Sequence, residues 1–257
     1  LPVKYFLKFT RDLKLKPDNL FSTLEVTTWK KQDRIKLPFN LKPLARLFGI
    51  LLGDGSIIET KSFKRGKTYL ISLVSRDIKW LKQYQNLLKV FGIKTKIQTN
   101  VRDSSLKHIS FKSKILGEIF HKKLNFPLGR KAKRIQITPF FLKSNELLKE
   151  VIGGLIDTDG SVGKEIIEIS SISKEMMKQL QLLLLRFGVY SFLEKRRKSP
   201  TYLVNSKNPS YRISIFGESA TIFKKNFNLL HYKKKRRLSL IRKKSSTFSK
   251  DIIPNSK

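Results

Sequence analysis

Residues 47–56 read LFGILLGDGS, and residues 152–161 read IGGLIDTDGS. Each is an apolar run broken by small residues that ends on an acid, a glycine and a serine. In the first, Gly49 and Gly53 lie one helical turn apart in a segment whose other residues predict a helix. Glycine inside a helix costs about 1 kcal/mol relative to alanine, so both glycines need a compensating gain, and close approach of another backbone is the usual one. The second stretch supplies the partner, because Gly154 and Thr158 stand where Gly49 and Gly53 stand in the first. Two helices crossing along these small-residue faces bring Asp54 and Asp159 together at their C-terminal ends. Asn40 and either Ser144 or Asn145 are the candidate N-caps, and Pro43 suits a first turn.

That meeting is electrostatically unfavourable. The C-terminal end of a helix carries partial negative charge, and two adjacent carboxylates oppose each other's ionisation. A divalent cation relieves both conflicts, and a hard ion such as Mg²⁺ prefers oxygen ligands of this kind. A lone Asp-Gly pair is usually a turn. Its recurrence at matching ends of a repeated unit argues for a shared function.

The repeat extends beyond the motifs. After Asp54 come strand-like KTYLISLVS at 67–75, a helical pattern in DIKWLKQYQNLLKVFGI at 77–93, strand-like KTKIQTNV and KHISFKS, a helix around ILGEIFHKKL, and a close on LGRKAKRI. After Asp159 the same order returns: EIIEISS, the helix in SKEMMKQLQLLLLRFGV, strand-like YSFLEKRRK and YRISIFG, a helix over ESATIFKKNFNLL, and YKKKRRL. LLKVFGI and LLLRFGV end the corresponding helices on Gly92 and Gly188. The predicted fold is therefore α/β (α+β), two copies of an αββαββα unit in one chain. Residues 1–39 form an N-terminal extension, 40–143 the first half, 144–242 the second, and 243–257 a polar tail expected to be poorly ordered.

Composition narrows the chemistry. The 257 residues are 40% hydrophobic, enough for a sizeable core, and 55 Lys and Arg against 19 Asp and Glu give a formal net charge of +36. An excess of this size self-repels unless a polyanion neutralises it, and nucleic acid is the natural partner. No apolar run approaches the roughly 18 residues of a membrane span, and the N-terminus has no signal-peptide pattern, so the expectation is an intracellular protein of cytoplasm or organelle without membrane association. Absence of cysteine removes disulfides, thiolate metal sites and thiol nucleophiles. His108, His121 and His231 have no ligand spacing.

Over about residues 40–240 the two motifs and the order of elements resemble the LAGLIDADG homing endonucleases. The second motif is close to the family pattern. The first departs from it at Leu52, where many members carry an additional acid matched here by Asp157; that acid is generally not the metal ligand. The resemblance implies a monomer with pseudo-twofold symmetry and two central motif helices, needing no protein partner. It also implies two antiparallel sheets forming a saddle over the major groove of double-stranded DNA, and Mg²⁺-dependent cleavage of both strands with short 3′ overhangs. Mn²⁺ would substitute, and Ca²⁺ would support binding only.

Carried onto this sequence, the resemblance makes Asp54 and Asp159 the metal ligands, joined by the carbonyls of Gly53 and Thr158. It selects Lys131 in GRKAKRI and Lys234 in YKKKRRL, with Lys233 one register step away, to polarise water or stabilise charge on the phosphate. Simple phosphate contact is the alternative for both lysines. Arg76 falls at a further pocket position whose counterpart lies near Ser171 and Ile172, which would make the two sites unequal. Lys67, Arg102, Lys107, Lys195, Arg196, Arg197 and Arg212 are expected to supply a concave DNA-binding face through strand alternation. Intein-embedded endonucleases share these blocks, but Leu1 and the final PNSK provide no splicing residues, which points to a free-standing or excised endonuclease. An RNA-binding intron maturase and a non-cleaving DNA-binding protein are the other readings; the second would typically lack the two acids.

Overall fold

The computed structural model describes residues 23–27, 33–38, 40–62, 66–101, 103–196 and 209–242. Most of the N-terminal extension, the polar tail, Arg102 and Arg197 therefore lie outside the described residues.

Helix α1 (Lys42–Leu52) is followed by strands β3 (Gly55–Ser62) and β4 (Gly66–Ser75), helix α2 (Ile78–Val90), strands β5 (Gln98–Thr99) and β6 (Lys107–Lys112), and helix α3 (Lys114–Glu118), which runs on into a wider turn at Ile119–Lys123. A short helix α4 (Pro139–Leu142) leads to α5 (Asn145–Asp159). Then β7 (Gly160–Val162), β8 (Ile166–Ser171), α6 (Lys174–Leu185), β9 (Phe192–Arg196), β10 (Ser210–Phe216), α7 (Gly217–Asn226) and α8 (Tyr232–Leu240) repeat the series. The sheets have identical topology: β3-β4-β6-β5 in one and β7-β8-β10-β9 in the other, antiparallel throughout. That shared strand order is the structural signature of the duplication seen in the sequence.

The motif helices α1 and α5 lie side by side in the same direction. Lys42 at the start of α1 pairs with Glu146 at the start of α5 at 2.9 Å. At mid-length a methyl group added to Gly49 would collide with the carbonyl of Val151, and one added to Gly154 would strike Arg46 O and come within 2.8 Å of Ile50 N. Only glycine permits this backbone contact. Ser144 caps α5 by accepting from Leu147 N, and Asn40 accepts from Lys42 N at 3.0 Å although Leu41 holds the capping position of α1. Around this pair the core divides by strand alternation. Ile57, Tyr69, Ile71, Leu73 and Ile109 of one sheet, and Val162, Ile167, Ile169, Ile213 and Ile215 of the other, point to the helix-covered side, all at most 1% exposed, with Tyr69 lying against Gly117 of α3.

The halves differ in three places. The strand expected over 94–101 is paired only at Gln98↔His108 and Thr99↔Lys107, with Asn100 N donating to Leu106 O just beyond them. GRKAKRI forms a turn in which Arg134 N and Ile135 N donate to Lys131 O, whereas YKKKRRL is helical in α8. The extension also contributes structure. Strands β1 (Thr23–Thr27) and β2 (Arg34–Pro38) pair antiparallel, Ile35 enters the core at 1% exposure, Lys36 N donates to Phe91 O, and Asp33 accepts from Ser113 Oγ and Ile115 N. Residues before 40 thus pack onto the first half.

Gly49→Ala and Gly154→Ala should each cost about 1–3 kcal/mol through overpacking of backbone on backbone, several degrees in thermal midpoint. Gly66→Ala, with open space around it but φ of +66°, should cost only about 1 kcal/mol of backbone strain. Equal losses at the three positions in thermal melts would contradict the close-crossing account.

Candidate active site and nucleic-acid interface

Where α1 and α5 end, four charged side chains meet. Asp159 is the last residue of α5, and its Oδ1 lies 3.1 Å from where a side chain on Gly53 would begin. Asp54 follows Gly53 in the turn that opens β3. Lys131 donates from Nζ to the carbonyls of Leu52, at 2.5 Å, and Gly53. Lys234 donates to the carbonyls of Ile156 at 2.9 Å, and of Asp157 and Thr158 at 2.8 Å each. Each lysine therefore neutralises the carbonyl end of its own half's motif helix. Lys233 points elsewhere, to Asp77 at 2.9 Å, so Lys234 is the residue in register.

The electrostatics are those of a strained cluster. Burial raises the carboxyl of Asp54, with Lys234 and Lys131 opposing the rise. Asp159 is raised to about 7, first by burial and then by the charge of Asp54. Burial depresses Lys131 to about 8 and Lys234 below the usual lysine range, with the acids opposing. Beside the cluster a cleft of about 600 Å³ is lined by Arg130, Lys131, Ala132, Lys133, Arg134 and, from the second half, Ile172.

The donor set fits a hard divalent cation at Asp54 and Asp159: two carboxylates oppose each other's ionisation where an added positive charge would favour both. No group of three or more acid, histidine or cysteine side chains suited to a metal occurs among the described residues, so water and substrate oxygens would supply the remaining ligands. The carbonyls of Gly53 and Thr158, expected as cation ligands, accept the ammonium groups of Lys131 and Lys234, because helix-end carbonyls draw the nearest positive charge.

The remaining expectations concern basic residues. Arg76 follows β4, whose end pairs with the start of β3 beside Asp54, and its side chain, 74% exposed, pairs with Asp103 at 3.7 Å. The expected basic face does not assemble as one set. Strand register puts Lys67 opposite Lys61, Lys107 opposite Ser75 and Lys195 opposite Tyr211, on the helix-covered sides of their sheets, while Arg196 and Arg212 lie on the solvent-open side. The reason is period-two alternation: the first three share the phase of Tyr69, Ile109 and Ile213, whose side chains enter the core. Lys67 pairs with Glu59 at 2.7 Å, and Lys107 donates to Thr99 Oγ1 and Ser104 O. Arg212 is held by Glu168 at 2.6 Å and lies 3.7 Å from Glu194. The open faces instead present Ser56, Ile58, Thr60, Ser72, Val74, His108 and Lys112 in one sheet, and Ser161, Glu168, Ser170, Phe192, Arg196, Arg212 and Phe216 in the other.

A residue that sequence reasoning missed joins the halves behind the acids. Arg46, one turn before Gly49, is buried and donates to Glu150 at 2.7 Å, Asp157 at 3.0 Å and Asn228 O at 2.8 Å. Asp157 also accepts from Leu230 N and His231 N, which sets the entry to α8. The signal was present, since Arg46 is the only charged residue in the apolar interior of α1.

A family model described as a LAGLIDADG-like domain matches residues 42–125 and 146–228, more than half of the chain and once per half. The chain belongs to the LAGLIDADG family. Both matched ranges open at the motif helices and stop short of Lys131 and Lys234. Among solved structures, mesophilic variants of the homing endonuclease I-DmoI align with a TM-score of 0.55 at 18% identity over 72% of this chain and 94% of that one. I-DmoI in complex with DNA and Ca aligns at 0.50 and 20% identity over 68% and 84%. These likenesses establish the fold, a mixed α/β LAGLIDADG architecture with antiparallel sheets. Among curated proteins, elongation factor 2 of Methanopyrus kandleri is 32% identical over 97 residues, 37% of this chain. The ATP-dependent DNA helicase Hel308 of Methanocaldococcus jannaschii is 34% identical over 137 residues, 50% of this chain. The alignments take in only 8% and 11% of those two proteins. No described helix is long and apolar enough to cross a membrane.

A pH dependence follows from the acid cluster. Because Asp159 titrates near 7 in the folded chain, above its ordinary value of 3.8, the native state holds this proton more tightly than the unfolded one. The resulting stability is present at low pH and lost as pH rises through about 7. Millimolar Mg²⁺ should therefore raise the thermal midpoint more at pH 8 than at pH 5. Asp159→Asn should flatten that difference. An equal Mg²⁺ increment at both pH values in scanning fluorimetry would exclude binding at the acids.

Proposed function

We propose that this LAGLIDADG protein is a site-specific homing endonuclease that hydrolyses one phosphodiester in each strand of a long double-stranded DNA target, leaving short 3′ overhangs. The observation that carries this reading is the placement of Asp54, Asp159, Lys131 and Lys234 at the joined ends of α1 and α5, with β3 and β7 starting within one residue of the acids. The centre of chemistry and the two sheets that would follow the groove are thereby built as one unit. Mg²⁺, with Mn²⁺ as substitute and Ca²⁺ for binding alone, is the proposed cofactor; Asp54 and Asp159 hold it, and it supplies charge neutralisation for the scissile phosphate.

The protein's own part is to aim and balance charge. Asp54 and Asp159 orient oxygen ligands at the helix ends. Lys131 and Lys234, with ammonium groups depressed by burial, sit where they can order a water or meet charge growing on phosphate oxygens. One lysine per half suits one strand per half. Arg196 on the open face, and Lys133 and Arg130 beside the cleft, provide phosphate contacts. Both copies being in one chain, we propose that it acts as a monomer.

The relatives support a mobile origin. A segment similar to part of this chain occurs within a translation factor and a helicase, covering about a tenth or less of each. A piece common to proteins of such different function belongs to neither activity, and spread into unrelated coding sequences is what a homing endonuclease would achieve.

Asp54→Asn and Asp159→Asn should each lower double-strand cleavage on the order of 10²-fold or more, since a group that stabilises charge in the transition state is removed. DNA binding in Ca²⁺ should be retained, because affinity rests on basic contacts to phosphate. Linearisation of a target plasmid at the wild-type rate by both variants would make the acids structural helix-end residues. On the sheets, Arg196→Ala should weaken DNA binding more than Lys67→Ala or Lys107→Ala, and should reduce the salt dependence of the affinity by about one phosphate contact. A gel-shift series across salt concentrations reads both, and the reverse ranking would mean that DNA does not lie on the open face.

A further inference from the structure

The two lysine-bearing segments are each fastened to the second helix of the opposite half. The turn that carries Lys131 continues to Ile135 and Ile137; Ile135 O accepts from Ser173 Oγ at 3.0 Å, and Ile137 N donates to Gln179 Oε1 at 3.1 Å. Ser173 is the N-cap of α6, in the second half. On the other side, Tyr232 opens the helix that carries Lys234. Its N–H donates to Gln83 Oε1 at 3.1 Å, its hydroxyl donates to Asp77 Oδ2 at 3.1 Å, and Lys233 pairs with Asp77 at 2.9 Å. Asp77 is the N-cap of α2, in the first half. The repeat is exact in position: N-cap and glutamine are Asp77 and Gln83 in one half, Ser173 and Gln179 in the other, six residues apart each time. It is inexact in what is held, since Gln83 takes a residue two before its lysine and Gln179 one six after.

We propose that Gln83 and Gln179 are positioning residues acting across the halves, Gln179 for Lys131 and Gln83 for Lys234. This rests on the reading of both lysines as members of the cleavage centre. Each lysine already reaches its own motif helix through carbonyl oxygens; the glutamine fixes the backbone of its segment from the other side, so that the ammonium is wedged between halves. Both glutamines are half-buried and off the core, and neither touches the acids. An amide oxygen accepting one backbone N–H is the whole of the contact, so any acceptor of the same reach can serve.

The consequence is a crossed dependence that a simple loss of local stability does not produce. Gln179 lies in the half that carries Asp159 and Lys234, yet its removal should slow the strand served by Lys131. The test uses the full chain, Mg²⁺, and a duplex bearing the site that the wild-type chain selects from a randomised library, with each strand labelled differently. Lys131→Met and Lys234→Met first assign the strands. Gln179→Met should then slow the Lys131 strand about tenfold or more, the scale at which small misplacements act, and Gln83→Met the Lys234 strand by more, its anchor being closer to the lysine. Gln179→Glu and Gln83→Glu, which keep an acceptor oxygen, should cut near the wild-type rate, and Gln179→Met combined with Lys131→Met should be no slower than Lys131→Met alone.

Slowing of the same-half strand, equal slowing of both strands, or glutamate variants as slow as methionine would overturn the proposal while leaving the lysine assignment standing. Lysine variants that cut both strands at the wild-type rate would overturn the two together. Should a methionine variant fail to fold, hydrogen exchange of the wild-type amides decides: Ile137 N–H and Tyr232 N–H should be protected well beyond their exposed neighbours, and rapid exchange of both would mean that the glutamines hold nothing.

Discussion

The backbone contact between α1 and α5 is the constraint on which the rest of the molecule depends. It exists because Gly49 and Gly154 have no side chain where Val151 O and Arg46 O lie. With the axes so close, the helices end together and their last residues share one small volume. The sheets start there as well, at Gly55 and Gly160. No loop intervenes between crossing, acids and sheets, so the separation of the two sheets and the placement of the carboxylates are fixed by one contact. A looser interface, with alanine at either glycine, would displace every downstream element in both halves.

Charge in this centre is balanced locally despite an overall excess of +36. Two acids at helix C-termini face two partial negative charges, and the lysines answer both problems at once: their ammonium groups bind the terminal carbonyls while their fields oppose the upward shift of the acids. Arrival of a phosphodiester adds negative charge to a cluster already close to neutral. The divalent cation proposed at Asp54 and Asp159 would offset that added charge, while the lysines, held on the helix-end carbonyls, stay within the same cluster to order a water or meet charge on the phosphate.

The duplication, the motif helices, their glycine contact and the meeting of the two acids were legible in the sequence, because each has a local pattern: apolar runs with small residues one turn apart and an acid at the run's end; Lys131 and Lys234 were reached only through the family resemblance. The phase of the strands was not legible. A basic residue near a strand end reads the same whichever side it faces, and only the register with Tyr69, Ile109 and Ile213 shows that Lys67, Lys107 and Lys195 share the covered side. The capping position of Lys131 and Lys234 on carbonyls was invisible for a related reason: backbone acceptors carry no sequence signal. The links Arg46 to Asp157 and Gln179 to Ile137 join residues remote in the chain and have no periodicity to announce them.

The remaining asymmetry has a physical logic. Arg46 of α1 corresponds to Val151 of α5, and Asp157 of α5 to Leu52 of α1, so the duplicated unit holds a buried ion pair on one side of the crossing and two apolar residues on the other. A buried ion pair gains little over apolar packing, since desolvation offsets most of the attraction, and the apolar version is the expected outcome where the pair serves nothing else. On the ion-paired side it does serve something else. Asp157 accepts the amides of Leu230 and His231, and Arg46 binds Asn228 O, so the chain is held in the turn that enters α8 and Lys234 leaves a helix already anchored at its base. On the other side the turn that carries Lys131 is closed by its own carbonyl to Arg134 N and Ile135 N and tied to α6 through Ile135 O and Ile137 N, with no ion pair at that place among the described residues. The polar pair persists where a lysine-bearing helix needs a fixed entry, and is replaced by packing where a turn suffices.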